Sequence, residues 1–135
     1  MFRKIDETIS VSPQIEPDDV ARAAAEGFTL IVNNRPDGEQ PGQPPAATIE
    51  AAAGAAGLDY VAIPITPGGF GAAEVAAMRS ALAGAKGPVL AFCRSGTRST
   101  FLWALARAGQ GEDADALTAK AAAAGYDLTP IRGLL

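Results

Sequence analysis

The residues best suited to chemistry lie in one run, Cys93-Arg94-Ser95-Gly96-Thr97-Arg98-Ser99, which holds the only cysteine of the 135-residue chain. An apolar segment, Pro88-Val89-Leu90-Ala91-Phe92, leads into it. A helix-forming run over 100–107 leads out. The pattern is that of a buried strand, a tight turn containing a glycine, and a helix start. A sulfur at such a junction faces unpaired N–H groups and the positive end of a helix dipole, both of which favour an anion. Arg94 and Arg98 add two guanidinium charges within the same few residues. An ordinary thiol titrates near ~8.5, and surroundings of this kind shift the balance toward thiolate. Taken alone, a cysteine after an apolar strand is a small core residue. The combination of strand, Cys93, Gly96, Arg98 and Ser99 is what points to a reactive thiolate in an anion cradle.

Two chemistries use such a cradle. In one, a phosphoryl group passes to the cysteine and water hydrolyses the phosphocysteine. In the other, a sulfane sulfur passes to it, and a second nucleophile attacks the persulfide. In either, Arg98 offers paired hydrogen bonds to an oxyanion or a leaving group. The amides of Arg94, Ser95, Gly96 and Thr97 would turn around the sulfur and form an anion-binding concavity. Ser99 has two readings, a helix cap or a hydrogen-bond partner that keeps Cys93 ionised. Arg35, Asp37 and Glu39, on a polar loop elsewhere in the chain, are second-tier candidates for facing this site.

The elements that must position these residues alternate between strand and helix. Residues 8–11 read as a first strand, and Glu16-Pro17-Asp18-Asp19 as the start of a helix over 20–26, closed by Gly27. Residues 28–32 form a continuous β-branched and aromatic run, expected for a parallel strand buried on both faces. A long Pro- and Gly-rich loop follows over 33–45, then a helix over 48–56. A third strand over 58–65 is demoted at its end by Pro64. A loop over 66–71, a helix over 72–82 and the strand before Cys93 come next, and a helix over 113–124 follows the Cys93 helix. The tail over 126–135 carries no clear pattern. Such alternation predicts a single α/β domain over 1–135, three layers α/β/α around a mostly parallel central sheet. Ligands of such sheets sit beyond the carboxyl ends of the strands, where the loops 33–45, 66–71 and 93–98 would meet.

Composition narrows the classes. Hydrophobic residues make up 48% and charged residues 19%, which fits a compact globular chain. A net charge of −4 argues against nucleic acid as a partner, and the arginines near Cys93 stand out against it. With no histidine and one cysteine the usual zinc sites have no ligands, so no metal and no cofactor is expected. No apolar stretch reaches the roughly 18 residues of a membrane span, and residues 1–7 lack a secretory h-region, so the cytoplasm is the expected compartment.

Four segments together carry a family resemblance: Thr8-Ile9-Ser10-Val11-Ser12-Pro13-Gln14-Ile15, Asn33-Asn34-Arg35-Pro36-Asp37-Gly38-Glu39, Ile63-Pro64-Ile65, and the Cys93 run. In order, over roughly residues 2–108, they resemble the DUF442 family, also called the β-lactamase-hydrolase-like protein, phosphatase-like domain. The resemblance implies the dual-specificity-phosphatase fold. Members of that family are also described as sulfur transferases, and some are fused to a metallo-β-lactamase-like domain of the persulfide dioxygenase type. Such a domain is therefore an expected partner by analogy.

Against phosphatases of that fold the sequence departs in three ways. The histidine before the nucleophile is Phe92. Four residues separate Cys93 from Arg98, one fewer than in the protein tyrosine phosphatase signature, and this ring size resembles that of single-domain rhodaneses. The aspartate general acid expected after Ile63-Pro64-Ile65 is replaced by Thr66-Pro67-Gly68, which leaves Asp37 or Glu39 as substitutes. On loop size the favoured function is sulfur transfer, with a persulfide on Cys93 and a small anionic donor drawn in by Arg94. The alternatives are a cysteine-dependent phosphatase acting on a phosphomonoester, and a non-catalytic anion-binding or docking domain.

Overall fold

Short β-branched runs separated by glycine-closed helices build one sheet. The computed structural model describes residues 2–135. Its strands are β1 (Arg3–Asp6), β2 (Ile9–Ser12), β3 (Leu30–Asn33), β4 (Asp59–Ala62) and β5 (Val89–Phe92). Its helices are α1 (Pro17–Ala25), α2 (Ala46–Ala55), α3 (Ala72–Gly84), α4 (Thr97–Ala108) and α5 (Ala114–Ala123), with a 3-10 helix over Thr129–Leu134. The strands lie in the order β1-β2-β5-β3-β4. β2, β5, β3 and β4 are parallel, and β1 alone runs antiparallel, against β2. Ser12 and Asn33 both pair with Phe92, so the chain leaves β2, β3 and β5 at one level and one edge.

The period-two alternation of a strand sorts side chains between two cores. Val89 and Ala91 of β5 face the layer of α3, α4 and α5, where Met78, Leu102, Trp103 and Leu117 pack. Leu90 and Phe92 face α1 and α2, which supply Val20, Ala23, Ile49 and Ala53. All four residues of β5 are buried, as its continuous apolar run requires. The three-layer α/β/α architecture is the expected one.

Four boundaries differ from the sequence reading. A strand precedes residue 8: β1 pairs with β2 through a tight turn in which Asp6 accepts hydrogen bonds from the Thr8 amide and hydroxyl. β4 is shorter than 58–65 and lies at the sheet edge, as Pro64 foreshadows. α4 begins at Thr97, so Thr97, Arg98 and Ser99 form its first turn. The tail is not loose chain: Tyr126, Leu128 and Ile131 are buried in the larger core.

The turn after β5 is braced by both ends of the chain. Gly96 has φ +92°, a conformation side chains rarely adopt, and a Cβ there would run into the Tyr126 hydroxyl. That hydroxyl donates to the Ser95 carbonyl at 3.0 Å. The Arg3 guanidinium lies 5.4 Å from the centre of the Tyr126 ring and donates to the Ala124 carbonyl. Gly111 has nearly the same φ, +91°, with open space where a Cβ would go. Gly111→Ala therefore measures backbone strain alone, about 1–2 kcal/mol. Gly96→Ala is expected to cost a further ~1–3 kcal/mol from overpacking on Tyr126. Urea unfolding followed by Trp103, the only tryptophan and fully buried in α4, separates the two. Equal losses would mean that Tyr126 moves aside freely.

Candidate active site

Cys93 leaves the central strand with its side chain turned inward. It has no exposed surface, and its Sγ accepts the Gly96 N–H at 3.1 Å. Its own amide donates to the Ser12 carbonyl of the neighbouring strand. The turn above it is fixed by its own polar groups. Ser95 Oγ lies 3.0 Å from Thr97 Oγ1, and the Thr97 amide donates back to Ser95 Oγ. Thr100 Oγ1 donates to the Gly96 carbonyl at 2.8 Å. The Arg94 side chain is exposed, while its carbonyl accepts the Gln14 amide. Because α4 begins at Thr97, its first amides have no carbonyl partner one turn back and face this junction.

Arg98 is anchored before any ligand arrives. Its Nη1 donates to Glu39 Oε2 and its Nη2 to Glu39 Oε1, both at 2.8 Å, a two-pronged carboxylate pair. Nη1 also donates to the Ile65 carbonyl at 2.9 Å. That leaves Nε–H and one Nη2–H as a second, adjacent edge of the guanidinium. Glu39 first, and the nearby Cys93 sulfur after it, raise the Arg98 pKa above its ordinary value. A group that senses the sulfur while gripping Glu39 spans the loop from rim to floor.

Glu39 is shared. Its Oε1 accepts Arg35 Nε at 3.0 Å as well as Arg98. The Arg35 side chain is only 2% exposed, and its other donors go to Gln14 Oε1 and Gln40 Oε1. A buried guanidinium is tolerable only when paired in this way. Hydrogen bonds from Arg98, and then from Arg35, outweigh partial burial and hold the Glu39 carboxyl below its usual range. It is therefore ionised at neutral pH and holds no proton to donate. Asp37 is placed elsewhere, its Oδ1 accepting the Ala46 amide at the start of α2.

Ser99 serves neither of its expected uses. Gly96 is the capping residue of α4, and the Ser99 hydroxyl donates to Asn34 Oδ1 at 2.8 Å in a buried contact. Asn34 is the unforeseen hub. Its amide donates to the Phe92 carbonyl, its Nδ2 to the Ile63 carbonyl, and its own carbonyl accepts the Ile65 amide. One side chain and one peptide thus tie the ends of β3, β4 and β5 to α4. Sequence reasoning also passed over Thr100, Gln14 and Tyr126. Asn34 offered a signal in retrospect, a polar residue at the end of an apolar strand. Tyr126, in a tail without pattern, offered none.

The loop over 66–71 lies beyond β4 and carries no carboxylate; its Phe70 packs against Phe101 of α4 with ring centres 6.0 Å apart. Among the described residues no three carboxyl, cysteine or histidine groups come together to hold a metal ion, and no helix is long and apolar enough to cross a membrane. The arrangement offers an enclosed sulfur, the Arg98 and Ser99 amides at the start of α4 without a carbonyl one turn back, and a second guanidinium edge beside the sulfur, which suit a nucleophile beside a bound oxyanion.

Comparison with known proteins places this geometry. Residues 1–110 match the family described as Beta-lactamase hydrolase-like protein, phosphatase-like domain. A Beta-lactamase hydrolase-like protein of Agrobacterium fabrum is 41% identical over 108 residues, which is 80% of this chain and 25% of the relative. The chain thus spans about a quarter of the length of that curated relative. A crystal structure of a candidate phosphatase from Neisseria meningitidis is 36% identical with a TM-score of 0.85, covering 97% of this chain and 93% of that one. Pseudomonas aeruginosa TpbA, solved in complex with phosphotyrosine, shares the fold at 21% identity and a TM-score of 0.66, covering 93% of this chain and 75% of that one. The strand–cysteine–helix junction, the sheet order and these matches agree: the chain belongs to the β-lactamase-hydrolase-like protein, phosphatase-like domain family, on a tyrosine- and dual-specificity-phosphatase-like fold.

Proposed function

We propose that this chain is a cysteine-dependent phosphatase that works through a phosphocysteine on Cys93. One observation carries the reading: Arg98 is gripped at one edge by Glu39 and Ile65 and keeps its other edge for an anion beside the Cys93 sulfur. The phosphoryl group enters with its oxygens on that edge and on the first amides of α4. The thiolate attacks phosphorus, the S–P bond forms, and the bond to the leaving oxygen breaks with its electron pair. Water then attacks phosphorus, sulfur departs as thiolate, and inorganic phosphate leaves. Arg94, exposed at the rim, draws the anion in; Ser95, Gly96 and Thr97 shape the cradle, and Ser99 holds α4 to Asn34. The family, the candidate phosphatase from Neisseria meningitidis and the phosphotyrosine bound by TpbA support this reading over sulfur transfer.

Sulfur transfer is the second reading, and the short ring between Cys93 and Arg98 favours it. Intact-mass measurement separates the two. After incubation with a phosphomonoester and an acid quench, the expected adduct is about 80 Da, on Cys93 and absent from Cys93→Ser. An adduct of about 32 Da from thiosulfate, lost on reduction, with no phosphoryl adduct under any condition, would overturn the phosphatase in favour of the sulfurtransferase.

The Glu39 anchor gives a signed pH effect. A depressed carboxyl pKa contributes stability that is fully present above the unfolded value of about 4.3 and is lost as the pH falls through the folded value. Glu39→Gln is therefore expected to lower stability by about 1–3 kcal/mol at pH 7. In urea titrations the gap between wild type and variant should close as the pH falls below the ordinary carboxylate range. A gap that is constant with pH would mean that the charge on Glu39 contributes nothing. With Arg98 released from its anchor, kcat/KM of the variant is expected to fall about 10–100-fold at neutral pH, an oxyanion contact loosened rather than removed.

A further inference from the structure

We propose that the site acts on activated phosphates, those whose leaving group departs as a stable, unprotonated anion, such as aryl esters, acyl phosphates and phosphoanhydrides, and that it leaves alkyl phosphate monoesters intact. This rests on the phosphatase reading above and adds the substrate class to it.

The inference comes from what the carboxyl and hydroxyl groups of the segments facing the Cys93 turn are bonded to. The segment that follows β4, Ile63-Pro64-Ile65-Thr66-Pro67-Gly68-Gly69-Phe70-Gly71, carries no carboxylic acid, and the chain has no histidine. That segment is not displaced from the site, because the Ile65 carbonyl accepts Arg98 Nη1 and the Ile65 amide donates to Asn34. It sits beside the loop and brings nothing that gives up a proton at neutral pH. Glu39 is the carboxylate bonded to Arg98, and both of its oxygens already accept from guanidinium groups, Oε1 from two of them. Asp37 is held at the start of α2 by the Ala46 amide, and Glu74 accepts the Gly71 amide at the start of α3. The Tyr126 hydroxyl donates to the Ser95 carbonyl, where a Cβ on Gly96 would meet it, so its proton is committed within the turn.

The chemical consequence follows from the balance of the first step. Sulfur supplies the electron pair of the new S–P bond, and the pair of the broken P–O bond stays on the leaving oxygen. With no acid to protonate that oxygen in the transition state, it must carry the full charge away. A phenolate, whose acid has a pKa near ~10, or a carboxylate, near ~4, can do so. An alkoxide, about as basic as the hydroxide of water at ~15.7, is the leaving group that most needs the missing proton. A positioned general acid contributes a factor of roughly 10²–10⁴, and its absence falls almost entirely on the poor leaving groups. In the second step the leaving group is a thiolate, which departs without a proton, so hydrolysis of the phosphocysteine does not carry the same penalty.

The test is a leaving-group series on the intact chain at pH 7. The substrates are acetyl phosphate, phenyl phosphates substituted so that the phenol pKa runs from about 7 to about 10, and glycerol phosphate. The expected result is a fall in kcat/KM of roughly 10²-fold or more across the phenyl series, with no measurable turnover of glycerol phosphate. A series flat to within about tenfold, or ready turnover of glycerol phosphate, would reveal a proton donor and overturn this inference while the phosphatase reading stands. No phosphoryl adduct on Cys93 from any substrate, acetyl phosphate included, would instead overturn the phosphatase reading and this inference with it.

Discussion

The carboxylate of Glu39 between two guanidinium groups is the interaction on which the rest of the site depends. Arg35 is almost fully buried, and an unpaired guanidinium there would be untenable. Arg98 is the group that must face an anion, and a free arginine side chain would lose much rotamer entropy on each binding event. One carboxylate meets both needs. It neutralises Arg35 and fixes Arg98 by its tip, with both side chains of the Arg98–Glu39 pair about three-quarters covered. Two guanidinium charges and one carboxylate leave a single positive charge beside the Cys93 sulfur. The loop over 34–45 is long and polar, yet it is pinned by Gln43 and Asp37 because Glu39 must stay in register with α4.

Around that pair, the backbone is arranged so that little has to move when charge develops. Asn34 gathers the ends of three strands and the first turn of α4 in one hydrogen-bonded cluster. Gly96 turns the chain back toward the sulfur in a conformation that only glycine holds easily, and Tyr126 fills the space its missing side chain leaves. The bracing comes from the extremes of the sequence, Arg3 in β1 and Tyr126 beyond α5, so the turn rests on residues far from it along the chain. Donors held in place by such surroundings need no reorganisation at the moment of reaction, which is where an oxyanion site gains most.

Much of this was legible in the residues. Glycines closing helices, continuous apolar strands and the alternation of the two were enough for the layered α/β fold, because they are local signals with one physical solution. The run from Cys93 to Ser99 was visible for the same reason, since a thiol, a glycine and two arginines at a strand–helix junction have few other uses. What stayed hidden depends on contacts across the fold. β1 is four residues of mixed polarity that become a strand only by pairing with β2. The side chain of Ser99 could satisfy several acceptors, and only the arrival of Asn34 from β3 decides which. Glu39 was a loop charge like any other until the fold set it against Arg98, and the same contact that makes it important leaves it without a proton to donate at neutral pH.

The short ring and the missing acid are better understood together than separately. The segment after β4 is tied down, its Ile65 carbonyl and amide both bonded into the site. Tying it down gives Arg98 a second anchor. The loop in turn closes over the sulfur until no surface is exposed. Both departures shift the burden from proton transfer to the nucleophile and the oxyanion contacts. On the proposed reading, such a site suits substrates whose bonds are already weak, and for those a general acid would add little.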